Sequence, residues 1–147
     1  MTTKIFVNLP VQDLTQSIKF FNQLGFTFNP QFTDDTAACM VITEDIYAML
    51  LTHAKFKEFT SEEIADTRKV REVLTCLALE SQEKVNEITD KAIQAGGQEA
   101  NDAKDYGFMY SRSFKDLDGH IWEVMWMDPA FVNQAPETQN SAVESYA

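Results

Sequence analysis

The densest group of chemically capable side chains lies in one short stretch, Asp116-Leu117-Asp118-Gly119-His120-Ile121-Trp122-Glu123. Carboxylates and imidazoles can hold a divalent ion or move a proton, and spacing decides which. His120 and Glu123 are three apart in a strand-like run, so they face opposite sides of a sheet and cannot chelate one ion together. Asp116-x-Asp118-Gly119 opens like a calcium loop but lacks the later ligands, the late Glu included. It reads as a tight turn between strands. The other histidine, His53, reads as a surface or core-edge side chain. Cys39 and Cys76 form no CxxC and no metal-type spacing. Both sit in apolar, strand-like runs and read as buried reduced thiols.

The 147 residues suit one domain or two half-size modules sharing a core. A 44% apolar and 24% charged composition excludes a wholly disordered chain. The longest unbroken apolar run, Tyr47 to Leu51, is too short to span a bilayer. Met1-Thr2-Thr3-Lys4 leads into a strand-like run without a signal-peptide pattern, so a cytoplasmic protein is expected. Twelve Lys+Arg against 23 Asp+Glu give a net charge of −11. Such a chain repels phosphate backbones and anionic lipid, so neither nucleic acid nor membrane is an expected partner. Cationic or neutral small molecules are favoured, although solubility alone explains most of the acidity.

Two stretches of the chain read in the same order. Lys4 to Val11 is strand-like, and Asp13 can cap a helix with Leu14, Ile18, Phe21 and Leu24 on one face. Gly25 stops it. Strands are expected at Phe26–Phe32, Ala37–Thr43 and Ile46–His53. In the second half, Val73–Glu80 is strand-like and Ser81 caps a helix with Val85, Ile88, Ala92 and Ala95 on one face. Strands are expected near Gln98–Ala100, Phe108–Lys115 and His120–Met127. The order is βαβββ twice: a first module over 1–54, a linker over 55–72, a second module over 73–130 and a flexible tail over 131–147. Thr60-Ser61-Glu62-Glu63 has capping-box spacing, so a short helix is expected in this segment, which reads as a simple linker with a lid over a pocket as the alternative.

Asp116 to Glu123 resembles the D-P-D-G-x-x-x-E hairpin of the vicinal oxygen chelate superfamily, which holds glyoxalases, bleomycin-resistance proteins and extradiol dioxygenases. Phe6-Val7-Asn8-Leu9-Pro10-Val11-Gln12-Asp13-Leu14, with Ser17, Phe20, Phe21 and Leu24-Gly25-Phe26, is similar to its first strand and helix. The resemblance covers about residues 4 to 128. It implies an α+β fold in which two βαβββ modules form a curled half-barrel sheet around a pocket, with helices on the outer face. Homodimers are its usual state. Members with metal chemistry draw one ligand from each of four strands. Those positions fall here on Phe6, Leu50, Leu74 and Glu123. Three apolar residues and one carboxylate cannot hold a divalent ion. No cofactor is therefore expected, with a divalent metal as the alternative. Asn8, Cys76 and Glu123 could form a displaced site only with Asn as a poor ligand.

Alternation along the strands gives an expected pocket lining of Phe6, Asn8, Leu50, Thr52, Leu74, Cys76, Glu123 and Met125, with Tyr110 and Arg112 reaching it from a neighbouring strand. Trp122 and Trp126 fall on the opposite face and pack against helices. A lone carboxylate in an apolar cup is costly to ionise. Arg112 could pair with it, a cationic ligand could, or it could serve as a general base. Two functions stay open. One is a metal-independent binder of the bleomycin-resistance type, taking a small apolar or cationic ligand. The other is a lyase, isomerase or dioxygenase with a nonstandard metal site or a metal-free Glu123 base, and this rests on analogy alone.

Overall fold

The caps expected for the two long helices form. Asp13 accepts the Gln16 N–H at 3.1 Å, and Ser81 accepts that of Lys84 at 3.1 Å. From these starts the computed structural model, which describes residues 2–132, builds two runs, each a strand, a helix and then further strands, the second with one strand more than the first. The first run is β1 (Ile5–Val11), α1 (Leu14–Gln23), β2 (Thr27–Phe28), β3 (Ala37–Val41) and β4 (Ile46–Thr52). A one-turn helix α2 (His53–Phe56) leads out of it. The second run is β5 (Thr75–Ala78), α3 (Gln82–Gln94), β6 (Gln98–Glu99), β7 (Lys104–Asp105), β8 (Met109–Lys115) and β9 (Ile121–Met127), followed by α4 (Pro129–Val132). One sheet has the order β1-β4-β3-β2, and the other runs β5-β9-β8-β6 with β7 also paired to β8. In each, the first strand lies parallel to the last. The fold is mixed α+β, with two sheets and no closed barrel among the described residues.

Three expectations change. The strand over Phe26–Phe32 is cut to two residues, because Asn29 caps a 3-10 turn at Pro30–Phe32 and Pro30 has no N–H for a ladder. The linker helix expected at Thr60 does not form, and a one-turn helix stands ahead of it instead. Thr52 caps α2 through the Lys55 N–H, whereas Thr60 spends its hydroxyl on Glu62 in a local turn. Strand β7 went unseen in a stretch of polar residues. Of the tail, Phe131 and Val132 belong to α4, Phe131 stacking on Phe108 at 4.1 Å; the rest lies outside the described residues.

One hydrophobic core serves both runs. Leu9, Val11, Ala48 and Leu50 of the first sheet join Phe20 and Phe21 of α1, Val85 and Ala92 of α3, and Phe114, Trp122 and Val124 of the second sheet. The seam is aromatic. Phe21 meets Trp122 edge-on at 5.4 Å and Phe20 meets Phe114 at 6.4 Å. Truncating Trp122 to Ala would cost on the order of 3–5 kcal/mol. Close approach also fixes Gly97, where an added Cβ would lie 2.6 Å from the Lys115 carbonyl oxygen.

Candidate functional site

Since the core claims one face of each sheet, the alternation of side chains hands the other face to any ligand. On the first sheet the register pairs Phe6 with Tyr47 and Asn8 with Met49, opposite in orientation to core residues Leu9, Ala48 and Leu50. Phe6 and Tyr47 stack at 4.6 Å with 9° between their planes, and Phe6 is still 48% exposed. On the second sheet Cys76 pairs with Glu123 across parallel strands, and Ser113 pairs with Glu123 from the other side. Met125 follows on the same face of β9.

The sequence-derived lining therefore divides. Phe6 and Asn8 share one open face. Cys76, Glu123 and Met125 share another, with Leu74 just ahead of β5 and 53% exposed. Leu50 is corrected: it is wholly buried in the core, and its strand presents Tyr47 and Met49 to the open face, while Leu51 on that side is itself buried. The run Tyr47 to Leu51 is apolar on both faces, so alternation carried no register signal there. Tyr110 and Arg112 are corrected likewise. Both turn to the helix side, where Tyr110 donates to Asn86 at 2.8 Å. Arg112 bonds Asn86 and Asp90 at 3.0 Å each and grips Glu99 at 2.8 and 3.0 Å. Arg112 thus does not neutralise Glu123. Thr52 is occupied as the cap of α2. Tyr47, Met49 and Ser113 were missed, and the alternation set by Ala48 and Phe114 would have found them.

Glu123 is half-buried, and no hydrogen bond or ion pair joins its side chain to another described residue. Cys76 is exposed, correcting the expectation of a buried thiol; Cys39 is buried. Packing of the flanking strands pushes the Cys76 thiol up from its usual value, and the adjacent Glu123 carboxylate adds to this. Such a thiol is a poor nucleophile.

The other end of the hairpin is fully engaged. Asp116 accepts the N–H groups of Asp118 at 2.9 Å, His120 at 3.0 Å and, through its other oxygen, the Trp122 indole at 3.0 Å. Burial pushes its carboxyl up from the ordinary value, against the pull of those donors and of His120. Asp118 reaches the first run, accepting the Gln12 N–H at 2.7 Å and the Ser17 hydroxyl at 3.3 Å. His120 Nε2 donates to the Pro10 carbonyl at 2.7 Å, which fixes the proton on that nitrogen. The expected turn is confirmed, and it also pins the two runs together.

Two clefts flank this pin. One, of about 850 Å³, is lined by Gln12, His53, Lys57, Arg68 and Lys115 among others. The second, of about 410 Å³, is lined by Asn8, Phe56, Ile64, Val70 and Arg71 among others. Neither is lined by Glu123 or Cys76. Among the described residues no three His, Cys, Asp or Glu side chains gather to hold a metal ion. The metal of the superfamily does not fit the donor set: Phe6 and Leu74 offer no donor atom and Leu50 is in the core.

The geometry agrees with what the chain is similar to. Residues 3–43 match the family model described as bleomycin resistance protein-like N-terminal. A hypothetical protein from S. aureus is 28% identical, with a TM-score of 0.71 over 86% of this chain and 95% of that one. A glyoxalase/bleomycin resistance protein/dioxygenase family enzyme from Burkholderia phytofirmans superposes with a TM-score of 0.69 at 16% identity, over 86% and 99% of the two chains. A genomically encoded fosfomycin resistance protein from Listeria monocytogenes gives 0.61 at 16% identity, over 86% and 91%. No curated protein matches the chain. The fold is the one that these glyoxalase, bleomycin-resistance and dioxygenase structures share. Among the described residues no helix is long and apolar enough to cross a membrane.

Proposed function

We propose that this chain binds a small apolar or cationic molecule on the open sheet faces, without a divalent metal. Glu123 supplies the counter-charge. The observation that carries this reading is that, among the described residues, none forms a hydrogen bond or ion pair with the Glu123 side chain beside Cys76 and Met125. Arg112 is committed elsewhere, so a positively charged ligand is the partner left to meet the Glu123 carboxylate. The half-exposed Phe6 ring, stacked on a Tyr47 ring that Lys4 already overlies, offers apolar contact area of the kind such ligands use. The exposed Phe6 and Leu74 also support a homodimer, in which a second copy covers apolar surface that one chain leaves open.

A matched pair of probes tests the reading. Phenyltrimethylammonium and tert-butylbenzene have nearly the same shape and differ in charge. The expected result is a preference for the cation by about tenfold in the wild type, abolished in Glu123→Gln, with the neutral probe bound equally by both. Equal affinity of the wild type for both probes would overturn the role of Glu123. Chelator-sensitive binding, with a divalent ion in the native mass spectrum, would overturn the metal-free reading.

A further inference from the structure

The segment between α2 and β5 crosses the seam between the two runs and separates the two clefts. Pro10, Glu63, Ile64, Ala65, Thr67 and His120 line both of them. From Thr60 to Val73 no residue is buried and no helix or strand forms. Its backbone bonds are local, such as Lys69 N–H to the Asp66 carbonyl at 2.9 Å. Among the described residues only two hydrogen bonds tie it to another part of the chain, and both end on the same turn. The Thr67 hydroxyl donates to the Asp118 carbonyl at 2.6 Å, and Arg71 Nη1 donates to the Gly119 carbonyl at 2.6 Å. Arg71 Nη2 also bonds the Thr67 carbonyl at 3.2 Å, coupling the two anchors. The turn below is rigid, held by Asp116 and by Gln12. Gly119 is required at this contact: its φ is +81°, and a Cβ there would lie 2.5 Å from the Thr67 Oγ1.

We propose that residues 60–73 are a latched strap over one continuous seam site, distinct from the Glu123 face. Closed, the strap divides the site into the two clefts. Open, it joins them into a single groove running past Pro10 and His120, from His53 and Lys57 at one end to Asn8 at the other. Thr67 and Arg71 are the latch, and the Asp118–Gly119 carbonyls are its catch. The strap buries no side chain of its own, and two side-chain bonds hold it to the turn, so its opening is local and separable from unfolding.

The test is the distance between spin labels at Val70→Cys on the strap and Leu117→Cys on the hairpin, in a Cys76→Ser background. Both positions are exposed, and Cys39 is buried. With the latch intact, one short, narrow distance dominates. Thr67→Val with Arg71→Gln adds a longer population, while Thr67→Ser, which keeps the hydroxyl, preserves the short one. In the unlabelled protein the latch variant raises the rate of tryptic cleavage after Arg68 or Lys69 by about tenfold, with the thermal midpoint within a few degrees of wild type. An unchanged distance distribution and cleavage rate would overturn the latch. So would cleavage that rises only in step with global unfolding.

Discussion

Asp116 and Glu123 carry the same functional group, lie at the two ends of one short hairpin motif, and are treated in opposite ways by the fold. Asp116 is buried and accepts three N–H groups. Glu123 is half-buried, sits beside a thiol and apolar side chains, and bonds no described residue. The difference teaches that a motif of carboxylates is not one site. Its first half is a fastener whose groups are consumed in holding two runs of chain together. Its second half is the only part with valence left for a ligand.

The comparison breaks most readily at Asp116. Asp116→Ala leaves the Trp122 indole and the His120 amide without their acceptor, and the expected loss is about 3 kcal/mol or more in urea unfolding. A loss below about 1 kcal/mol would mean the hairpin is not the fastener. The same residue sets a pH dependence. Its folded carboxyl is raised, so its contribution is fully present below the ordinary carboxylate value of 3.8 and is lost as pH rises through the folded value. Wild-type stability should therefore carry a decrement from about pH 4 upward that Asp116→Asn lacks, read from unfolding curves across that range.

Glu123 should behave in the reverse sense. Glu123→Leu removes a carboxylate that no residue satisfies, so stability is expected within about 0.5 kcal/mol of wild type or slightly higher, while cation binding is lost. A cost as large as that of Asp116→Ala would erase the contrast. The smallest effect is on Cys76. Glu123 holds the thiol up, so Glu123→Gln should speed alkylation of Cys76 by a few-fold at neutral pH, measured by mass spectrometry. An unchanged rate would place the two groups out of electrostatic reach.

Legibility in the sequence followed how one-sided each element is. Helices α1 and α3 were readable because their apolar residues recur at helical spacing and their caps are Asp13 and Ser81. Strand β9 was readable because Trp122 and Val124 alternate with Glu123 and Met125. Strand β4 was not, because a run that is apolar on both faces fits either register, and Leu50 went to the core. Arg112 misled for a different reason. Its partners Asn86, Asp90 and Glu99 come from α3 and β6, and nothing local announces that they converge on it. The strap was misread because a capping box signals a helix only where enough apolar surface follows to be buried, and residues 60–73 bury none.

The sequence by itself determined the strand–helix–strand order that opens each run, the caps of α1 and α3, the tight turn at Asp116–Gly119 and the carboxylate on the last strand. These depend on short-range spacing, which a chain carries whatever its tertiary partners. Only the tertiary structure decided which carboxylate is spent and which is bare. It also decided that Arg112 faces away from Glu123, and that Thr67 and Arg71 close a strap on the Asp118–Gly119 turn. Those outcomes turn on contacts between residues far apart in sequence, where each hydrogen bond is satisfied by a group that no local pattern specifies.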